Sequence, residues 1–209
     1  MKLYFTPGTC SLAPHIVLRE LGLDAELRRV RLGADAVVLA DGRDYRTLNP
    51  LGYVPLLELD DGSLLSEGVA ILLYLADLVP QAGLAPPAGT RERVELHRWL
   101  TFISAELHKS FSPWLFHPKY GEQAAEVART RIAQRFALVE RHLRDRDFLL
   151  GERFGIADAY LFTIADWARA TRISLEPYPH LAAYLERVRG RDSVASALRL
   201  EKAAAAEQR

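Results

Sequence analysis

The chain's only cysteine, Cys10, follows a strand-like run, Leu3-Tyr4-Phe5, and a turn, Thr6-Pro7-Gly8, and precedes a helical run from Leu12 to Leu21. Pro7-Gly8 supplies turn chemistry, and Ile16, Val17, Glu20 and Leu21 recur at helical spacing. Pro14 is compatible with that helix because it falls in or near the first turn, where its missing N–H is not needed. Cys10 is therefore expected at a helix entrance, where unpaired backbone N–H groups and the helix dipole favour negative charge. A free thiol titrates at about 8.5 and is only a few per cent thiolate at neutral pH. At a helix N-terminus that value falls to roughly 3.5–7.5, which makes nucleophilic thiolate a major species.

The elements that must hold this thiol are legible in order. Gly22 reads as a helix C-cap, and Leu27-Arg28-Arg29-Val30-Arg31-Leu32 alternates like a half-exposed strand. Gly33 to Gly42 reads as a loop or short helix, and Arg43 to Leu48 as a helical turn stopped by Asn49-Pro50. Val54 to Leu59, Asp60-Asp61-Gly62 and Ser63-Leu64-Leu65 read as strand, hairpin turn, strand, and Ser66-Glu67 as the cap of an apolar helix. Strand-helix-strand followed by strand-strand-helix gives a mixed sheet with helices on its faces over residues 1–79. Pro80 to Gly89, rich in Pro, Gly and Ala, is the expected linker. Residues 90–209 read as all-helical: Arg91 to Phe111, Glu122 to Arg146, Ile156 to Ala170, Pro179 to Arg189 and Ser193 to about Ala206, with a polar, alanine-rich tail expected to fray.

Composition excludes several classes. Lys plus Arg and Asp plus Glu number 27 each, so net charge points to no nucleic-acid partner. One cysteine rules out an internal disulfide framework and fits a reducing compartment. The chain opens on a strand-like run without a basic-then-apolar leader, and its longest apolar stretch, Val69 to Leu75, is too short to span a bilayer. The expectation is a cytoplasmic protein with no membrane partner.

A small mixed α/β domain with a thiol after its first strand, followed by an all-helical domain, resembles the glutathione S-transferases, most nearly the bacterial cysteine-containing beta class. The resemblance spans essentially the whole chain. It is carried by Tyr4-Phe5-Thr6-Pro7-Gly8-Thr9-Cys10-Ser11-Leu12, Gly52-Tyr53-Val54-Pro55, Leu65-Ser66-Glu67-Gly68-Val69-Ala70-Ile71, Glu106-Leu107-His108-Lys109-Ser110-Phe111-Ser112-Pro113 and Ala157-Asp158-Ala159-Tyr160-Leu161-Phe162. It implies a thioredoxin-like N-terminal domain, a cis bond before Pro55, a C-terminal helical bundle with the acceptor pocket and dimer contacts, glutathione as co-substrate and no metal.

Glutathione carries a thiol, two carboxylates and an ammonium, and the residues can be matched to those needs. Cys10 and its helix N-terminus suit the sulfur, with the Thr9 and Ser11 hydroxyls as further donors. Val54 precedes a proline and is held extended, offering N–H and C=O to a peptide laid alongside. Ser66 and Glu67 open a helix whose N–H groups can hold the γ-glutamyl carboxylate. The resemblance adds His108 facing the sulfur, Lys109 near the same pocket, and Glu106 reaching the γ-glutamyl ammonium in the neighbouring subunit's site. Phe111, Trp114 and Trp167 can line an acceptor pocket, although aromatics on helices more often pack in the core. It also implies that Asp158 caps a helix for folding. Three positions depart from the family pattern. No Lys or Arg lies between Arg31 and Arg43, where relatives often meet the glycine carboxylate; Tyr53 stands where some carry Gln; Gly155 stands where Ser or Thr would complete the cap.

The activity expected is conjugation of glutathione to small apolar electrophiles by a homodimer. Two other readings use the same residues. One is a glutathione-dependent thiol reductase or reductive dehalogenase working through a Cys10 mixed disulfide; Ala13 excludes a two-cysteine mechanism within the chain. The other is a non-catalytic binding protein of this fold, which has no need of Cys10, Val54-Pro55, Ser66-Glu67 and His108 together.

Overall fold

The computed structural model describes residues 1–33 and 37–206, which divide into two compact units, Met1–Ala82 with Arg191–Arg209, and Gly83–Gly190. The first unit is built on a five-stranded mixed sheet in the order β3-β2-β1-β4-β5. β1 (Lys2–Phe5) lies parallel to β2 (Glu26–Leu32) and antiparallel to β4 (Leu56–Glu58). β3 (Val37–Leu39) and β5 (Leu64–Leu65) add antiparallel edges, and Asp60-Asp61-Gly62 turns the β4–β5 hairpin with Gly62 at φ 83°. This is the thioredoxin-like arrangement that the sequence implies, and the Val54–Pro55 bond is cis.

The period of two in β1 explains how both faces are covered. Tyr4 joins Tyr45, Val30, Val37, Leu39, Val54 and Leu56 in a core cluster on one face. Leu3 and Phe5 point to the other, where Phe5 meets His15 of α1 (Leu12–Glu20), ring centroids 6.0 Å apart. α1 packs against α2 (Gly68–Leu78) and against the last helix, α9 (Asp192–Ala206). Arg191 and Ser193 both bond the Glu20 carboxylate, and Arg29 bonds the Ala204 carbonyl.

Several expectations are corrected here. Gly33 to Gly42, read as loop or short helix, contains β3; three residues are too few to show a period, and the pairing Val30↔Leu39 comes from β2. Residues 34–36 and 207–209, the latter part of the expected frayed tail, lie outside the described residues. Arg43 to Leu48 narrows to a 3₁₀ turn, Tyr45–Thr47, capped by Asp44 accepting the Arg46 amide at 2.9 Å. Ser66 does not cap α2: the helix begins at Gly68, and the residue before it is Glu67 at φ 69° with no side-chain cap bond. α9, assigned to the helical half by its composition, packs on α1 instead.

The second unit is helical. α3 (Arg91–Thr101) runs on through a π-helical stretch, Phe102–His108, into a last turn, α4 (Lys109–Phe111). α5 (Glu122–His142) ends in a 3₁₀ turn, and the run expected from Ile156 to Ala170 is broken at Asp166 into α6 (Ile156–Ala165) and α7 (Trp167–Thr171). α8 (Pro179–Arg189) packs on α5 and α6. The stretch read as a linker is not free. Leu84 is buried and its carbonyl accepts the Ile156 amide at 3.0 Å, which fastens the start of this unit to α6.

Candidate functional site

In the first unit the turn from Thr6 to Ser11 presents Cys10 and is braced from inside. The Thr9 amide and hydroxyl both reach the Thr6 carbonyl (3.2 and 2.8 Å), and the Ser11 hydroxyl lies 2.8 Å from that of Thr9. Ser11 accepts the Thr6 amide at 3.2 Å and is fully buried. Both hydroxyls expected as donors to a ligand sulfur are thus engaged in holding the turn. A second brace comes from the far end of the chain. The buried Glu201 carboxylate accepts the Gly8 amide at 2.9 Å through one oxygen and lies 3.3 Å from His15 Nδ1 through the other. Sequence reading gives Glu201 no role, because it sits in an alanine-rich helix with no local motif.

Cys10 is a half-buried thiol, outside any disulfide, one residue before Ser11, the N-cap of α1. The first N–H groups of that helix are already bonded: Leu12 to the Thr9 carbonyl at 3.1 Å and Ala13 to that of Cys10 at 3.3 Å. The thiol donates instead to the Val54 carbonyl at 3.2 Å. This differs from the expected thiol–helix contact, and it joins two of the residues matched to glutathione. Val54 is buried, and the peptide before it is fixed by two bonds to the Tyr53 carbonyl, from Tyr45 Oη at 2.9 Å and Asn49 Nδ2 at 2.7 Å. The Tyr53 side chain itself is exposed. A Cβ built on Gly68 would lie 3.8 Å from the Pro55 ring, so the start of α2 abuts the cis proline. Cys10, Val54, Pro55 and the exposed pair Ser66 and Glu67 therefore form one contiguous set.

In the second unit, Glu106, His108 and Lys109 follow one another through the π-helical stretch into α4. Glu106 is half-exposed and paired with Arg135, whose hydrogen bonds and charge hold the carboxyl below its usual range; Nη2 lies 2.5 Å from Oε2. His108 Nδ1 lies 2.8 Å from the Tyr160 hydroxyl, and its ring meets Trp167 edge-on at 5.1 Å. Burial, with a smaller contribution from the Lys109 charge, pushes the imidazole down to about 4. Lys109 is exposed and its carbonyl accepts Trp114 Nε1 at 2.9 Å. Phe111 and Trp167 meet at 5.9 Å, and Phe116, which sequence reading passed over, meets Trp167 at 5.0 Å. Trp114 turns instead to Tyr120. Of the three aromatics read as lining an acceptor pocket, Phe111 is fully buried and belongs to the core, Trp114 turns away, and Trp167 stands between His108 and Phe116.

Asp158 does what a folding residue does. Its Oδ2 accepts the Gly155 amide at 2.9 Å, and Oδ1 accepts the Leu149 amide at 2.8 Å and the Tyr184 hydroxyl at 3.0 Å. With no side chain at Gly155, only half of a capping box forms. A cleft of about 340 Å³ in this unit is lined by Arg144, Arg146, Asp147 and Arg187. Arg146 pairs there with Asp145 and Arg187 with Asp147, and the cleft contains none of the residues matched to glutathione. Among the described residues no three His, Cys, Asp or Glu side chains are gathered as metal ligands, and no helix is long and apolar enough to cross a membrane.

Comparison with known proteins finds one family in both parts of the chain. Residues 8–78 match the glutathione S-transferase N-terminal domain family and residues 99–192 the C-terminal domain family. Glutathione S-transferase GstA of Escherichia coli O157:H7 is 45% identical over 201 residues, covering 96% of this chain and 98% of that protein. The ternary complex of BphK, a bacterial glutathione S-transferase, is 49% identical with a TM-score of 0.93, covering 97% of this chain and 100% of that one. The beta-class glutathione S-transferase of Sphingomonas chungbukensis is 43% identical with a TM-score of 0.91, over 96% and 98% of the two chains. With both domains matched in order and the cysteine turn, cis proline and helix entrance in place, this chain belongs to the glutathione S-transferase family, in its bacterial beta class.

Proposed function

We propose that this chain conjugates glutathione to small apolar electrophiles, as a cytoplasmic homodimer. The observation that carries the reading is the contiguity of Cys10, Val54, cis-Pro55 and the start of α2. A thiol, an extended backbone and a helix entrance side by side meet the sulfur, the peptide and the carboxylate of one tripeptide. Tyr53, Val54 and Pro55 hold its central residue, Ser66 and Glu67 its γ-glutamyl end, and Cys10 serves its thiol; Lys109 is a further glutathione-binding residue. His108 donates a hydrogen bond that favours thiolate over thiol, so more of the nucleophile is present at neutral pH. The sulfur attacks an electrophilic carbon, the C–S bond forms as the leaving group departs, and the thiol proton passes to solvent. Phe116 and Trp167 give the electrophile an aromatic wall, with the fully buried Phe111 packed against Trp167. Glu106 serves the γ-glutamyl ammonium in the partner's site by exchanging Arg135 for it.

Retention on immobilised glutathione, followed by turnover on a panel of aromatic and aliphatic electrophiles, tests the reading. Failure to bind glutathione, or binding without conjugation of any electrophile, sinks it.

The Cys10–Val54 contact also favours a second activity. A thiol 3.2 Å from the backbone that pairs with glutathione's cysteine is placed for sulfur exchange. Cys10 thiolate would attack oxidised glutathione, forming a mixed disulfide and releasing one glutathione thiolate. Conjugation should survive Cys10→Ala, whereas this exchange should not.

A further inference from the structure

A neutral imidazole has one N–H donor and one bare nitrogen, and which is which decides what it can do for a sulfur anion. His108 is neutral at pH 7, because its surroundings disfavour the charged form. Its Nδ1 lies 2.8 Å from the hydroxyl of Tyr160, a residue of α6 that is nearly fully buried. Two arrangements satisfy that contact: phenol donating to bare Nδ1, or Nδ1–H donating to the phenol oxygen. The first is favoured chemically, since a phenol is a good donor and a poor acceptor while an imidazole nitrogen is the reverse. The donor is also well fixed. α6 is anchored two residues earlier by Asp158, which holds Gly155, Leu149 and Tyr184. Trp167 closes on the imidazole edge-on at 70°, which leaves the ring little freedom to rotate.

We propose that Tyr160 is a positioning residue: its hydroxyl donates to His108 Nδ1 and fixes the hydrogen on Nε2, the nitrogen that then donates to glutathione's sulfur. The inference rests on the reading of His108 given above. Without Tyr160 the buried imidazole distributes its hydrogen over both nitrogens, and the fraction with Nε2–H available falls. The effect is on the population of the competent state, so it appears in kcat and hardly in the affinity for glutathione.

Long-range proton–nitrogen correlation spectra of the histidine-labelled protein, read together with steady-state kinetics, test this. The wild-type protein should show His108 with Nε2 protonated and Nδ1 bare. Tyr160→Phe, which keeps the ring, should give a mixed tautomer signal and lower kcat about tenfold, with KM for glutathione unchanged within about twofold. His108→Ala should lower kcat at least as far, and adding Tyr160→Phe to it should change nothing more. A wild-type Nδ1–H tautomer overturns the inference. So does a Tyr160→Phe protein that keeps both tautomer and kcat while His108→Ala loses activity. Unchanged kcat in His108→Ala defeats instead the role of His108 at the sulfur, and the inference falls with it.

Discussion

A Cβ placed on Gly155 would stand 2.8 Å from the Leu84 carbonyl oxygen, the same oxygen that accepts the Ile156 amide. Gly155 has an ordinary extended backbone, φ −145°, so its glycine is required by space and not by conformation. This gives a prediction with opposing signs. Judged as a cap, Gly155→Ser should complete the box with Asp158 and gain up to about 1 kcal/mol. Judged by space, it must push a hydrogen-bonded backbone aside, at roughly 1–3 kcal/mol. The steric effect is the larger, so the urea midpoint should fall. A raised midpoint would show that Leu84 yields easily.

Asp158 should be among the most sensitive positions in the second unit. Asp158→Ala leaves the buried Gly155 and Leu149 amides and the Tyr184 hydroxyl without their acceptor, which costs about 3 kcal/mol or more. Thermal unfolding is the measurement. A melting temperature unchanged from wild type would mean that other groups satisfy all three donors.

His108 makes stability depend on pH in a defined window. In the unfolded chain its imidazole takes a proton near pH 6.5, whereas burial lowers the folded value to about 4. Between those values the unfolded state holds the extra proton, so this group's effect is to weaken folding as pH falls from about 6.5 to 4. Above the window it contributes nothing, and below it the loss is complete at about 3 kcal/mol. Urea midpoints at pH 7, 6 and 5 should fall less steeply for His108→Gln than for wild type. Parallel slopes would contradict the lowered value.

The Cys10 thiol should be separable from the rest of the site. Protein incubated with oxidised glutathione should gain the mass of one glutathione, removable by reductant, and Cys10→Ala should gain none. The rate of alkylation against pH reports the thiol directly. An inflection at the free-thiol value of about 8.5 would falsify the activated thiol expected from the sequence.

Glu106 and Arg135 offer a test of the neighbouring-subunit role. If Glu106 serves the partner's glutathione, Glu106→Ala should weaken binding while light scattering still reports a dimer. Arg135→Ala removes the competing cation and should leave binding intact or improve it. Weakened binding in Arg135→Ala but not in Glu106→Ala would reverse the assignment.

What the sequence makes legible depends on how local the cause is. The strand-turn-helix around Cys10, the Asp60-Asp61-Gly62 hairpin and the amphipathic run of α5 are written in neighbouring residues and appear as read. β3 is missed because its cause is β2, and the π-helical stretch within Arg91 to Phe111 because its apolar pattern differs little from that of a long α-helix. In the site, Cys10 and Val54 are individually legible, but their contact depends on the β1 and β4 register. Tyr160 lies inside a quoted run and Glu201 in none; their partners, His108 and Gly8, are 52 and 193 residues away, beyond any motif.

The return of α9 to the first unit has a consequence for biosynthesis. Gly8 finds its carboxylate only when residue 201 is available, so the turn that carries Cys10 is completed only after that residue has left the ribosome. Until α9 emerges, the nascent sheet and α1 lack the helix that covers them, and the cysteine turn lacks its distal brace. A stop before α9 would therefore leave an N-terminal segment with an unfinished thiol loop and an uncovered apolar face for quality control to find.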